Sequence, residues 1–178
     1  FNQPAVYYKG AWVLHMLRHV LGDAVFFQAL QQYGSAHAYG TAITADFRAA
    51  CEAASGRDLG AFFQQWVYGE YYPIYRARWA SLPAAGGYDV TLTLEQRQPW
   101  QLFTLPVDVR VLTTAGPREF VVPDSLASQT FTLHVDAAPA GLAIAPEDWI
   151  LRQLEQEVID PPFDRALLLV NGIDWATY

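Results

Sequence analysis

The stretch VYYKGAWVLHMLRHVLGD, residues 6–23, predicts the first structural element of the chain. Its apolar side chains recur three and four positions apart, which is the spacing of one face of an amphipathic α-helix. The members of this stripe are Val6, Gly10, Val13, Leu14, Leu17 and Leu21. Gly22 is expected to end the helix. Asp23 is expected to cap the next helix, because its carboxylate can accept hydrogen bonds from free N–H groups at a helix start.

Three more helices are predicted before residue 70. The segment AVFFQALQQYGSAH (24–37) has helical periodicity. The segment TADFRAACEAASG (44–56) is expected to begin at an N-cap, Thr44, and to stop at Gly56. The segment DLGAFFQQWVYG (58–69) is expected to be capped by Asp58 and ended by Gly69.

Beyond about residue 88 the apolar period changes to two, which is typical of strands. The predicted strands are YDVTLTLEQ (88–96), LPVDVRVLTT (105–114), REFVVPD (118–124), TFTLHVD (130–136) and GLAIAP (141–146). Short strands separated by turn residues favour an antiparallel β-sandwich. The fold class is therefore predicted to be α+β, an N-terminal helical bundle followed by a β-sandwich.

The domain boundary is placed near residues 73–78. The segment PEDWILRQLEQE (146–157) is expected to form a closing helical turn or short helix, and the segment 161–178 resembles the first strand of a further domain. The predicted division is a helical domain over 1–74, a β-sandwich over 75–152, and a linker with a possible further strand over 153–178.

Composition and charge exclude several classes of protein. Hydrophobic residues make up 52% of the 178 residues and charged residues 16%, so the chain can bury a substantial core and is not of the disordered class. The net charge is −7 and no basic run occurs, which argues against a nucleic-acid-binding surface. No apolar run is long enough to span a bilayer. The single Cys51 has no partner for an internal disulfide, so the cysteine content indicates no compartment.

His15 and His19 are four residues apart on the first predicted helix, within reach of one metal ion. The same spacing occurs in the zinc protease motif HExxH, whose Glu acts as general base, but here the neighbour of the first His is Met16, which cannot accept a proton. A zinc site also needs a third ligand. The favoured interpretation is two partly exposed or hydrogen-bonded histidines with no metal.

The residues around these histidines carry a more specific signal. Segment 6–23 resembles the segment that follows the zinc motif in the M1-family metallopeptidases, the gluzincin aminopeptidases. The family pattern is Tyr-x-Lys-Gly-Ala, an apolar helix, and then Leu-Gly-Asp/Glu. The matching residues in this chain are Tyr7, Lys9, Gly10, Ala11, Leu21, Gly22 and Asp23.

The likeness extends well beyond this motif. It continues through FFQALQQYGSAHAYGTAITADFRAACEAASGRDLGAFFQQWVYGEYYPIY (26–75) and into YDVTLTLEQRQPWQLFTLPVDVRVLTT (88–114), so that it covers roughly residues 1–152. The resemblance implies that the helices are the C-terminal part of a thermolysin-like catalytic domain and that the strands form the small β-sandwich after it.

One catalytic residue follows from the resemblance. Tyr7 matches the family's tyrosine that hydrogen-bonds the oxyanion developing on the peptide carbonyl. A phenol held at that oxygen stabilises the charge without ionising. Tyr8 occupies the variable position of the motif. Lys9 and Gly10 are expected to position the helix, and Lys9 is expected to pair with a carboxylate.

The resemblance also implies what the chain lacks. In the family the HExxH helix and a third ligand, a Glu, precede this segment, and neither motif occurs here. No metal-binding or cofactor-binding residue is therefore expected in this chain, whereas zinc is expected in a full-length parent. The chain is expected to be a fragment that is inactive alone, packs against the missing upstream catalytic half, and meets a peptide substrate only through the parent.

Two other functions stay open. The chain could be a non-catalytic protein-binding or ligand-binding scaffold module of a peptidase-like parent, using the aromatic-rich segments YGEYYPIY (68–75) and QRQPWQLF (96–103) as its contact surface. It could also be a self-contained metalloprotein that uses His15 and His19.

Overall fold

The chain folds as two compact units. The computed structural model describes residues 7–155. The first unit contains the residues up to Tyr71 together with Trp149–Leu151. The second unit contains Tyr72–Asp148 and the residues from Arg152 onward. The domain limits expected from the sequence, at residues 74 and 152, stay a prediction, and the strand expected within 161–178 lies outside the described residues.

Four α-helices and a π-helix make up the described part of the first unit. They are α1 (Lys9–Leu21), α2 (Asp23–Ala36), α3 (Thr44–Ser55), α4 (Gly60–Phe63) and the π-helix Gln64–Tyr68, which continues α4 directly. All four helices expected from the apolar periodicity are therefore present, although the fourth changes from α-helical to π-helical hydrogen bonding after one turn. None of the helices within residues 7–155 has the length and hydropathy needed to cross a bilayer.

The core of the first unit joins residues from all four helical regions. Its buried members are Leu17, Phe26, Ala29, Cys51, Leu59 and Phe63. On α1 the buried positions are Val13, Met16 and Leu17, whereas Leu14 is 41% exposed, so the apolar stripe is rotated from the expected one. Met16 is thus a core residue, which explains why an apolar side chain occupies the position after His15.

Two of the expected helix caps are wrong. Asp23 is the first residue of α2 rather than its cap, and its carboxylate instead accepts hydrogen bonds from Arg18 Nε and Nη2 at 2.8 and 2.6 Å. Thr44 is the first residue of α3, where Asp46 Oδ2 accepts a hydrogen bond from the backbone N–H of Ile43 at 2.9 Å. In both cases a carboxylate within the first turn pairs with a donor outside it.

The expected end of the third helix is confirmed. Gly56 follows α3 in the left-handed conformation with φ +65°, and its N–H donates to the carbonyl of Glu52. A third expected cap, Asp58, is displaced by one position, because the N-cap residue of α4 is Leu59; Asp58 Oδ1 still accepts a hydrogen bond from the backbone N–H of Gly60 at 2.7 Å.

The second unit is a β-sandwich. Its strands are β1 (Ile74–Ala84), β2 (Gly87–Gln96), β3 (Leu105–Thr113), β4 (Gly116–Asp124), β5 (Ser128–Val135), β6 (Pro139–Ile144) and β7 (Gln153–Leu154). One sheet has the order β5-β2-β1-β7 and the other β4-β3-β6. Every neighbouring pair is antiparallel except β1 and β7.

The sandwich core follows the alternation that the sequence indicates. Alternate residues in the middle of β2 and of β3 are fully buried, namely Val90, Leu92, Leu94, Val107, Val109 and Val111. Alternate residues of a strand point to opposite faces of its sheet, so each strand contributes one apolar face to the interior. The predicted α+β fold, helices followed by an antiparallel β-sandwich, is confirmed.

Two expectations for the second unit are wrong. Residues 74–84 form the longest of the described strands. No strand was predicted there, because the domain boundary was expected in this region. Within 146–157, where a short helix was expected, the described residues contain β7, which pairs in parallel with Ile74 and Tyr75 of β1. The remaining residues of that segment lie beyond Glu155, outside the described part.

Candidate functional site

Tyr7, the expected catalytic residue, lies at the start of the first unit's leading helix. Tyr7 and Tyr8 form a π-helical turn that runs directly into α1. Their side chains are 59% and 57% exposed, so both phenols present much of their surface to the surroundings.

Lys9 fixes the beginning of α1 to a segment distant in sequence. Its Nζ donates a hydrogen bond to the carbonyl oxygen of Gly69 at 2.7 Å, 60 residues further along the chain. The partner of this hydrogen bond is a backbone carbonyl rather than the carboxylate expected from the sequence. Partial burial lowers the pKa of Lys9, and the negative charge of Glu70 acts in the opposite direction.

The segment that Lys9 contacts is firmly attached to the first unit. Gly69 follows the π-helix Gln64–Tyr68, and that helix buries Trp66 to 1% exposure. Tyr68 and Tyr71, on either side of Gly69, are exposed. The Lys9 hydrogen bond therefore joins the turn that carries Tyr7 to a segment with a buried aromatic anchor.

His15 and His19 are in contact with an aromatic side chain. Both imidazoles stack on the indole of Trp149, with ring centroids 4.3 and 4.7 Å away and interplanar angles of 15° and 17°. The ring of Trp12 meets His15 edge-on. The i, i+4 spacing thus brings both imidazole rings into stacking contact with one indole. This contact indicates a packing role for the two histidines.

The described residues do not offer a ligand set for a metal. Within residues 7–155, no three His, Cys, Asp or Glu side chains lie close enough together to hold an ion. His37 contacts the ring of Tyr33. His134 Nδ1 lies 2.8 Å from Asp89 Oδ1 on neighbouring strands.

The two aromatic-rich segments considered as a contact surface are only partly exposed. Tyr75 and Phe103, at their ends, are completely buried in the second unit. Gln96 and Gln98 are also buried, at 6% and 7% exposure. Each segment therefore contributes some residues to the interior of the sandwich, while Tyr68 and Tyr71 stay exposed.

A buried polar cluster in the sandwich was not foreseen from the sequence. Asp124 is 1% exposed, and its Oδ2 accepts hydrogen bonds from the hydroxyl of Tyr75 at 3.0 Å and from Nε2 of Gln96 at 2.6 Å. Burial raises the pKa of Asp124 to about 6, against the opposing effect of these hydrogen bonds. Burial, followed by the nearby charge of Asp124, raises the pKa of Tyr75. One signal was available, because Asp124 continues the inward alternation of Val122 along β4.

Part of the chain matches a known family model. Residues 1–66 match the model of the peptidase family M1 domain, and this range includes the segment with Tyr7, Lys9 and Gly10. The match ends within the π-helix that precedes Gly69.

Several curated relatives carry aminopeptidase names. Aminopeptidase N of Lactococcus lactis subsp. lactis is 35% identical over 98 residues, which is 55% of this chain and 11% of that protein. Aminopeptidase M1 of Arabidopsis thaliana is 40% identical over 72 residues, 40% of this chain and 8% of that protein. Aminopeptidase N of Escherichia coli (strain K12) is 36% identical over 99 residues, 56% of this chain and 11% of that protein. The chain thus spans about a tenth of the length of these relatives.

A solved structure has the same fold. The crystal structure of Legionella pneumophila aminopeptidase A in complex with aspartic acid superposes with a TM-score of 0.69 and 15% sequence identity, covering 89% of this chain and 18% of that one. At this identity the likeness concerns the fold alone. The matched family model and the relatives confirm the resemblance found in the sequence: the matched part of this chain is similar to M1 family aminopeptidases.

Proposed function

We propose that this chain is part of a longer, zinc-dependent aminopeptidase-like hydrolase of peptide bonds, to which it supplies the transition-state-stabilising Tyr7. The observation that carries the proposal is the match of residues 1–66 to the peptidase family M1 domain, with Tyr7, Lys9 and Gly10 in the order of the family motif. The aminopeptidase names of the relatives support the same reaction and a peptide as the substrate.

The role of Tyr7 follows from the charge that develops during peptide hydrolysis. When a peptide carbonyl is attacked, negative charge grows on its oxygen, and a donor that is already in place stabilises that charge. The phenol of Tyr7 is a neutral O–H donor and is more than half exposed at the start of α1. It would therefore donate to the carbonyl oxygen without any change in its own ionisation.

The zinc of the proposed enzyme would be held by residues outside the described part of this chain. The family implies zinc in the full-length protein. Residues 7–155 bring no suitable group of side chains together, so they do not fit the metal by themselves. When bound, zinc would supply Lewis-acid chemistry, and the chain alone is expected to be inactive.

The remaining partner of the chain would be the upstream half of the catalytic domain. The chain covers about a tenth of the relatives' length. We expect the exposed turn at Tyr7 and Tyr8 to face that half, where the peptide substrate would also bind.

The second candidate is a non-catalytic binding module of a peptidase-like parent. Exposed aromatic side chains favour it, because Tyr68 and Tyr71 are 56% and 53% exposed. The burial of Tyr75 and Phe103 reduces the exposed aromatic surface with which such a module could bind a partner.

The substitution Tyr7→Phe in the full-length protein tests the proposal. It removes one hydroxyl, so we expect kcat on an aminoacyl substrate to fall by about 100- to 1000-fold, the usual effect of losing one oxyanion donor. Zinc content, measured by mass spectrometry, should stay the same. Tyr8→Phe is the matched control, because Tyr8 lies in the same turn with nearly the same exposure. We expect Tyr8→Phe to leave kcat unchanged.

Equal turnover by Tyr7→Phe and the unmodified protein would remove Tyr7 from the reaction. Equal loss in Tyr7→Phe and Tyr8→Phe would also contradict the assignment, since it would indicate damage to the turn rather than loss of a specific donor.

A further inference from the structure

Lys9 makes the contact that links the turn of Tyr7 to the end of the π-helix. Its side chain crosses from the first residue of α1 to the carbonyl of Gly69. The last carbonyl groups of a helix have no partner within it, so a side-chain ammonium is a suitable donor for a carbonyl that immediately follows one. An ammonium-to-carbonyl hydrogen bond is also stronger than a neutral one.

Both ends of this contact are held in the first unit. α1 is anchored by its buried residues Met16 and Leu17, and the π-helix by Trp66. The hydrogen bond therefore fixes the first turn of α1 against a second, independently packed element.

The position of the Tyr7 hydroxyl depends strongly on the backbone of this turn. Tyr7 precedes Lys9 by two residues, and its side chain is more than half exposed. A shift of the Cα–Cβ bond moves the oxygen of a long, rigid phenol with it at any given pair of side-chain torsions. Misplacement of a reacting group by about 1 Å can lower a rate by about 100-fold.

We propose that Lys9 is a positioning residue for Tyr7, acting through its hydrogen bond to the carbonyl of Gly69. This inference rests on the proposed catalytic role of Tyr7. Lys9 itself touches no reacting atom in this account. Its ammonium holds the turn so that the phenol meets the developing oxyanion in the correct place.

The chain contains a similar contact at the opposite end of the same helix. Arg57 Nη1 donates a hydrogen bond to the carbonyl of Val20 at 2.6 Å, near the end of α1. Like the Lys9 contact, this hydrogen bond joins a cationic side chain to a backbone carbonyl that is distant in sequence. The Val20 carbonyl, however, lies more than three helical turns away from Tyr7. Arg57→Met is therefore a control for the loss of a stabilising tie that has no part in placing Tyr7.

A double-mutant cycle in the full-length protein tests the proposal. The variants are Lys9→Met, Tyr7→Phe, the double variant, and Arg57→Met. We expect Lys9→Met to lower kcat by about 10- to 100-fold, with little change in KM or zinc content. In the Tyr7→Phe background, Lys9→Met should lower kcat no further, because the hydroxyl that it positions is already absent. Arg57→Met should lower the melting temperature and leave kcat unchanged.

The outcomes distinguish this inference from the proposed function. If Tyr7→Phe turns over like the unmodified protein, the proposed function fails and the role of Lys9 fails with it. If Tyr7→Phe is slow and Lys9→Met is not, only the positioning role is overturned. An equal additional loss from Lys9→Met in both backgrounds would likewise overturn it, because the two effects would then be independent.

Lys9→Arg covers the case in which Lys9→Met does not fold. Arginine retains the positive charge and N–H donors for the carbonyl of Gly69. We expect its kcat to be much closer to that of the unmodified protein than to that of Tyr7→Phe. A kcat as low as that of Tyr7→Phe in a folded Lys9→Arg variant would contradict the proposed hydrogen bond.

Discussion

Asp124 shows at the scale of single residues how far burial can change a side chain. Its Oδ2 has two hydrogen-bond donors, Tyr75 and Gln96, whereas its Oδ1 is buried and has no hydrogen-bond partner. A carboxylate in such a place loses most of its hydration, and two hydrogen bonds offset only part of that loss. The neutral form of Asp124 therefore persists to a higher pH in the folded chain than in an exposed aspartate.

We predict that the sandwich loses stability as the pH rises through the range in which Asp124 ionises. Its pKa is raised from 3.8 to about 6, so the neutral acid stabilises the fold at low pH, and this contribution is lost between about pH 4 and pH 6. The full effect is about 3 kcal/mol. Hydrogen exchange of β3 and β4 amides, corrected for intrinsic rates, should show faster opening across this range.

Asp124→Asn is the matched control for this pH dependence, because it keeps the size of the side chain and does not titrate. Its stability should not fall over the same range. Surface ion pairs such as Arg118 and Asp136 make stability rise with pH instead, since pairing lowers the pKa of Asp136. These pairs are present in both the unmodified protein and Asp124→Asn, so their contribution cancels when the two are compared. An equal pH dependence in the two proteins would show that Asp124 is not the group responsible.

At the scale of elements, local sequence predicts the helices and strands whose apolar pattern agrees with their burial. β2 and β3 alternate cleanly, and Gly56 stops α3 as expected. β1 carries the same signal, because Tyr75, Ala77 and Trp79 alternate with the charged Arg76 and Arg78. This short alternation was assigned to the domain boundary, and the full length of the strand depends on its pairing with β2, which local sequence does not reveal.

The short helix expected after residue 146 was wrong because local sequence does not show which segments pair in a sheet. Glu, Leu, Arg and Gln favour helices, but intrinsic propensity is weak compared with pairing to a sheet. β7 consists of Gln153 and Leu154 and adds to the edge of β1.

The hydrogen bond between Lys9 and Gly69 spans 60 residues. The sequence could therefore point to each residue but could not show that they are in contact.

Two glycines in the helical unit are predicted to respond oppositely to replacement by alanine. Gly56 has φ +65°, where a Cβ is strained, so Gly56→Ala should lower the free energy of unfolding by about 1–2 kcal/mol. Gly34 lies within α2 with open space around its Cα, so Gly34→Ala should raise it by about 0.5–1 kcal/mol. Urea unfolding of both variants checks these values.

Destabilisation by Gly34→Ala would contradict a helical backbone at Gly34, and stabilisation by Gly56→Ala would contradict a left-handed backbone at Gly56. Neither added methyl group meets a heavy atom within 4 Å, so the two effects report backbone conformation rather than packing.

At the scale of the whole molecule, the described residues contain a β-sandwich and one part of a proposed catalytic site. The sequence predicts Tyr7 as a catalytic residue through an ordered family motif, and it predicts no zinc role for His15 and His19. The structure stacks those histidines on Trp149, and the described residues bring no three potential ligands together. The proposed zinc site would therefore need ligands from outside the described residues.

The most direct measurement is to sequence the coding region immediately upstream of Phe1. The account predicts a His-Glu-x-x-His motif on a helix, followed one helix later by a Glu, both ahead of Tyr7, because a zinc peptidase needs three ligands and a general base. Their presence would complete the site to which Tyr7 contributes. A continuous upstream reading frame that lacks the two histidines or either glutamate would contradict the proposed enzyme and favour a non-catalytic binding module.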